Sequence, residues 1–174
     1  AWGMSRVSAE QIKIANAVTP VSAIQNEYSM LERSPEKDGV LETCKQFGIG
    51  LVPYMPLAGG FLTGTIKPGQ TYTGDDAKRF SNQPLLEILD KMSKKKGCTY
   101  AQMAIAWLMH MGENIVPIPG MMNEKMIREN LDVAKIQLSP EEMAEINASI
   151  DKCDLYTEWD EDCVVKLKKV LKEE

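Results

Sequence analysis

The stretch IGLVPYMPLAGGFLTG, residues 49–64, decides how this chain is read. Its first six residues are short, apolar and follow a glycine, the pattern of a buried strand. The strand delivers one aromatic residue, Tyr54, at its end, and Gly59, Gly60 and Gly64 follow at close spacing. Glycine reaches backbone dihedrals that other residues avoid, and backbone without a side chain can approach a phosphate closely. A flat aromatic face beside such a loop suits a dinucleotide with a flat ring at one end. It also suits a tyrosine that simply packs at a strand end.

Outward from this stretch the chain alternates short apolar strands with capped helices. Residues 1–5, AWGMS, read as a strand, and Ser8 with Gln11 forms a capping box. Ile12, Ala15 and Val18 then recur at helical spacing. A second strand starts at Val21 and turns polar at Gln25. Ser34-Pro35-Glu36 opens a helix with proline in its first turn; Val40, Cys44 and Phe47 form its inner stripe and Gly48 ends it.

Downstream, residues 67–84 are rich in Gly, Thr, Asp and Pro, too long for a simple connection and so read as a functional or mobile loop. Leu85, Ile88, Leu89 and Met92 make an amphipathic helix that ends at Gly97. Thr99 and Gln102 form a second capping box, and the apolar AQMAIAWLMHM (residues 101–111) predicts a buried helix. NIVPIPG, residues 114–120, reads as a further strand. Asn123 is an N-cap for a helix with Ile127, Leu131 and Ala134 on one face. Ser139-Pro140-Glu141-Glu142 opens another, which uses Met143, Ile146 and Ile150. The tail, residues 151–174, is charged, with an amphipathic helical segment at residues 164–171.

This rhythm predicts an α/β fold of about four parallel strands joined by helical crossovers. Two architectures fit, an open doubly wound sheet or part of a TIM barrel. No strand is followed by GxGxxG, which weakens the first, and a complete barrel needs eight strands.

Composition narrows the function. The 174 residues are 44% hydrophobic, enough for the core of one domain. A net charge of −5 argues against a nucleic-acid partner, and the lysines at 94–96 and at 166, 168 and 169 read as solvated helix positions. No apolar run approaches the roughly 18 residues that cross a bilayer, and no secretory leader pattern is present, so the reading is cytoplasmic with no membrane partner. Cys44, Cys98, Cys153 and Cys163 are scattered without CxxC spacing and read as reduced thiols. His110 is the one histidine, too few for a His-based metal centre or a Ser-His-Asp triad; it reads as a helix cap or a solvent-exposed residue, and no metal site is assigned.

In order and spacing, several phrases together resemble one family: GMS followed by SAEQI, VSAIQNEYSM, residues 49–64, MAIAWLM, NIVPIPG and the Glu129-Asn130 pair. The family is the aldo-keto reductases, and the resemblance covers roughly residues 1–150. It implies a (β/α)8 barrel that binds NADP(H) in an extended pose without the GxGxxG fingerprint. The chain is similar to the C-terminal half of that barrel, from about the fifth strand onward. The implied chemistry is hydride transfer to a small carbonyl substrate, an aldehyde or a ketone. Members draw catalytic Asp, Tyr, Lys and His from the first four strands; nothing here matches them, and no catalytic residue is assigned.

The resemblance implies a cofactor half-site. Ser5 and Gln25 match residues that contact the nicotinamide carboxamide, with Arg6 where many members have Asn, and Tyr54 matches the aromatic that stacks on the nicotinamide. Leu57, Ala58, Gly59 and Gly60 fall where loop backbone follows the pyrophosphate. Gly120, Asn123, Glu129 and Asn130 lie in the segment implied to hold the adenosine 2′-phosphate and adenine. There the chain departs from pattern: Met121 replaces a Ser or Thr, and Met126 replaces an Arg, which removes a bidentate phosphate donor that Asn123, Lys125 and Arg128 are left to replace. NADP is the implied cofactor, with NAD the other candidate. The alternatives are a non-catalytic, cofactor-binding or interaction module that self-associates or pairs with a missing N-terminal half, and a non-nicotinamide enzyme on a complete small α/β fold.

Overall fold

Strand β1 (Gly3–Ser5) pairs in parallel with β2 (Ala23–Gln25), and β2 with β3 (Gly50–Leu51), giving the sheet order β1-β2-β3. The computed structural model describes residues 1–65, 68 and 82–153. Most of the glycine- and threonine-rich stretch at residues 67–84, and the amphipathic segment at 164–171, therefore lie outside the described residues. Around the sheet are α1 (Ala9–Val18), α2 (Ser34–Lys37), α3 (Val40–Phe47), α4 (Gln83–Lys96), α5 (Tyr100–His110), α6 (Glu124–Leu131) and α7 (Pro140–Ile150).

Helix starts follow the polar signals. The hydroxyl of Ser8 accepts from the Gln11 backbone while the Gln11 side chain accepts from the Ser8 backbone. Thr99 with Gln102 and Ser139 with Glu142 repeat the arrangement at α5 and α7. Each box satisfies N–H groups that a helix leaves without an internal partner. α5 is the centre of the core: Met103, Ala104, Ile105, Ala106, Trp107 and Leu108 are all buried, against Ile24 and Leu51 of the strands in one cluster.

Several expectations change. The helix opened by Ser34 is two helices, because Gly39 takes a left-handed conformation (φ 83°) between α2 and α3. Phe47, assigned to an inner stripe, is exposed, and so is Val18, to 83%, although it follows Ile12 and Ala15 at helical spacing. α4 begins at Gln83 with Pro84 in its first turn, so the end of the expected loop is helical. α6 buries none of its residues, and Ile127, Leu131 and Ala134 are exposed. NIVPIPG does not form a full strand. It runs beside β3, with Val116 N donating to Leu51 O at 2.9 Å and Ile118 N to Pro53 O at 3.0 Å, but its one bridge is Leu51 with Ile115. Pro117 and Pro119 have no N–H to give a neighbour on the other side.

His110 is half-buried rather than exposed, and its ring serves the end of α5. Its Nδ1 lies 2.7 Å from the Ala106 carbonyl, and its Nε2 accepts from Leu138 N at 3.1 Å. Accepting at Nε2 requires the neutral ring with the proton on Nδ1, so His110 ties the end of α5 to the approach of α7.

A polar cluster that the sequence reading does not anticipate sits against Trp107. Arg33 donates from Nε and Nη2 to the two carboxylate oxygens of Glu36, each at 2.6 Å. Tyr28 donates to the same carboxylate at 2.9 Å. The guanidinium lies 5.5 Å from the Trp107 ring centre, and Tyr28 meets that ring edge-on at 5.9 Å. Trp107 in turn donates to Asn147 of α7 at 3.0 Å. Among the described residues no helix is long and apolar enough to cross a membrane, and Cys44, Cys98 and Cys153 are free thiols.

Candidate functional site

In a parallel sheet all strands end on the same edge, and that edge collects the sequence-predicted residues. Ser5 ends β1 and Gln25 ends β2, and the two are register partners. The Ser5 hydroxyl donates to the Gln25 carbonyl at 2.9 Å, and Arg6 N donates to the same oxygen at 3.0 Å. The Gln25 side chain is exposed and makes no hydrogen bond to another described residue. Tyr54 is half-buried and bridges Glu27; its N–H reaches the Asn26 carbonyl at 3.1 Å. Hydrogen bonds from the Ser5 hydroxyl and the backbone N–H groups of Arg6 and Tyr54 thus tie the strand ends together at Gln25 and Asn26.

The glycine loop follows directly. Met55 N–H is succeeded by a tight series in which Ala58 N donates to Met55 O at 2.9 Å and Gly60 N to Leu57 O at 3.0 Å. Ala58, Gly59 and Gly60 have φ values of 48°, 62° and 99°, three consecutive left-handed residues that open a 3-10 turn (Ala58–Thr63). Leu57 is half-buried against the core and anchors it. The described residues with positive φ that are not glycine are Arg6, Met55 and Ala58, all just past the ends of β1 and β3. Backbone held in sparsely populated conformations collects at functional positions.

The fourth segment joins the edge through Ile118, whose N–H meets the Pro53 carbonyl next to Tyr54. Gly120 follows, exposed; a Cβ built on it would meet nothing within 4 Å. Gly60 is equally open. Packing therefore leaves both backbones approachable. Asn123 caps α6, its side chain accepting from Met126 N at 2.9 Å. Glu129 and Asn130 are half-buried on α6, and the Glu129 carbonyl accepts from Gln102 at 2.7 Å. Arg128 gives both Nε (2.9 Å) and Nη2 (2.6 Å) to Glu124.

One residue of this edge escapes the sequence reading. Asn26 accepts from Val7 N at 3.1 Å and donates to Val7 O at 3.0 Å, which fixes the turn after β1 beside Ser5 and Arg6. A polar pair, Gln25-Asn26, ending an apolar strand is the signal that could have found it. Two tyrosines are turned elsewhere. Tyr28 is buried on Glu36, and both burial and that carboxylate raise its pKa; burial and Asp90, 2.7 Å away, push Tyr100 up to about 12. A cleft of about 530 Å³, lined by Leu41, Lys45, Gly48 and Asn114 among others, lies where residues enter β3, the opposite edge. It includes none of the predicted site residues.

A donor set of this kind fits a nicotinamide. The Ser5 proton is committed to Gln25, which leaves its lone pairs to accept from an amide NH₂, and the Gln25 amide offers both a donor and an acceptor. The 2′-phosphate of an NADP-type cofactor fits less well: Asn123 is engaged in capping and Arg128 with Glu124, and Met121 has no polar atom to offer.

Comparison with known proteins agrees with the fold. The structure of Tm1743, a thermostable aldo-keto reductase solved with the inhibitor epalrestat, aligns with a TM-score of 0.67 at 28% identity, over 84% of this chain and 47% of that one. The glycerol dehydrogenase AKR11B4 from Gluconobacter oxydans shares the fold with a TM-score of 0.76 at 24% identity, over 88% and 49%. The chain spans about half the length of these structures. The model of the aldo/keto reductase family matches residues 1–151, from β1 through α7. The chain belongs to the aldo/keto reductase family.

Proposed function

We propose that this chain supplies the cofactor-orienting half of a nicotinamide-dependent oxidoreductase that interconverts a small aldehyde or ketone and its alcohol. The observation that carries the reading is the single edge on which Ser5, Gln25, Tyr54 and the left-handed Ala58-Gly59-Gly60 run stand together. A bound reduced nicotinamide would supply the hydride. Tyr54 would offer a flat face that fixes which side of the ring is presented, contributing area and orientation rather than a proton. Ser5 and Gln25 would set the ring's rotation through its carboxamide, and the open backbone at Gly60 and Gly120 would lie along the phosphates and adenosine. A proton donor for the carbonyl oxygen is not assigned to this chain.

Exposed apolar residues support a second element of the proposal. Val116 (62%) and Ile118 (44%) flank the β3 side of the sheet and Trp2 (40%) precedes β1, so both sides are suited to a further strand-and-helix layer that would close a barrel. The layer would come from another segment of the same protein or from a second copy.

The test is a titration of the folded chain with NADPH and NADH, followed by tryptophan quenching. Saturable binding that weakens about tenfold in Tyr54→Ala and survives in Tyr54→Phe is the expected result. Binding that is indifferent to Tyr54 would remove the stacking role; no binding by a chain with native circular dichroism would remove the cofactor reading.

A further inference from the structure

We propose that Glu124 is a specificity-determining residue that disfavours a cofactor carrying a 2′-phosphate; the proposal rests on the cofactor reading above. The segment that leads into α6 runs beside β3 and leaves the sheet at the same edge as Tyr54, through the Ile118–Pro53 hydrogen bond. The start of a helix presents free N–H groups and a positive dipole end, the usual setting for a phosphate.

Here the side chains work against the backbone. Glu124 is the first residue of α6, so a full negative charge stands where an anion would gain most from the helix end. The same carboxylate holds Arg128 through both Nε and Nη2, one turn away. Asn123 is engaged with Met126 N, and Met121 and Met122 are apolar and exposed. Lys125 is the remaining cation of the turn, exposed and in no ion pair with a described residue. A phosphate carrying close to two charges would meet Glu124 first and would have to draw Arg128 out of its pair. A ribose 2′-hydroxyl has no such conflict, since a carboxylate accepts from it directly.

Glu124 and Arg128 are each 76% exposed on their side chains, so the pair is weak and the discrimination is of modest size. It also means that replacing either residue leaves the fold intact.

The experiment measures dissociation constants for NADH and NADPH by tryptophan quenching in the parent chain, Glu124→Gln, and Glu124→Gln with Arg128→Gln. Glu124→Gln should tighten NADPH about fivefold, the sum of a helix-end charge and a freed arginine, with little effect on NADH. Adding Arg128→Gln should abolish most of that gain. An NADPH constant that does not move, or that moves in step with NADH, overturns the proposal and leaves the cofactor reading standing. Failure of both cofactors to bind the folded chain overturns both.

Discussion

Ser5 and Gln25 are bonded to each other at the last position of their strands, hydroxyl to carbonyl at 2.9 Å. The bond fixes the Ser5 hydroxyl against the backbone of Gln25, whose side chain stays exposed beside it. Ser5 is exposed and Arg6 N supports the same carbonyl, so Ser5→Ala should cost well under 1 kcal/mol of stability, about the size of one exposed hydrogen bond. Nicotinamide-cofactor affinity should nevertheless fall severalfold. Parallel thermal melts and cofactor titrations check this; equal cofactor affinity in the variant would take Ser5 out of the site.

Two glycines of the described chain should respond in opposite ways to alanine. A Cβ on Gly3 would sit 2.6 Å from the Ala23 carbonyl oxygen, a backbone atom that cannot move without breaking the β1-β2 pairing. Gly3→Ala should therefore destabilise by about 2 kcal/mol or more, within the range of steric core damage. Gly120→Ala meets nothing within 4 Å and should leave the urea midpoint unchanged while weakening cofactor binding. A stability loss at Gly120 would instead reveal a packing role.

The Arg33–Glu36 pair predicts a large, asymmetric effect. Arg33 and Glu36 are 10% and 20% exposed on their side chains, and Tyr28 shares the carboxylate. Arg33→Ala strands Glu36 beside a buried tyrosine and should cost about 3 kcal/mol, whereas a double replacement by apolar residues of similar volume should recover much of it. Denaturant unfolding of the three proteins measures the difference.

Acid should loosen the junction of α4 and α7. Glu142 is 9% exposed and its pKa is lowered to about 2 by the hydrogen bond from Lys96, then by Ser139 N and by Lys95. A carboxylate with a depressed folded-state pKa stabilises the fold at every pH above its unfolded value of about 4.5, and that contribution is lost as pH falls toward 2. Glu142→Gln should lower the melting temperature at neutral pH and flatten the stability profile between those limits. An unchanged profile would show that the two lysines find other partners.

How far the sequence leads depends on the range of the signal. The capping boxes at Ser8, Thr99 and Ser139 involve neighbours three residues apart, and all three helices start where the pattern places them. Ser5, Gln25 and Tyr54 are named through the family resemblance, and it is the structure that brings them to one edge, because strands that run parallel end together. The break at Gly39 was hidden because the apolar stripe continues across it; only the left-handed φ separates α2 from α3. α6 failed differently. Its spacing identifies an apolar side, Ile127 and Leu131, but spacing carries no information about what covers that side, and no described residue buries it. The packing of the Arg33–Glu36–Tyr28 group on Trp107 and the tie from His110 to Leu138 escape a sequence reading because they join residues from elements far apart in the chain. For Glu124 the local spacing to Arg128 was in plain sight, yet only geometry shows both nitrogens turned to the one carboxylate.

The division between the strand interiors and their ends has a consequence for how such a protein changes over generations. Ile24 and Leu51 are sealed inside, while Ser5, Gln25, Gly59 and Gly120 stand outside and hold up none of the interior. Substitutions at Ser5, Gln25 and Gly120 should therefore be nearly invisible to folding and, on the proposed function, visible to cofactor binding. On that reading a lineage built on this frame could drift from one cofactor to another through single steps that each leave a viable protein, and an engineer could follow the same route.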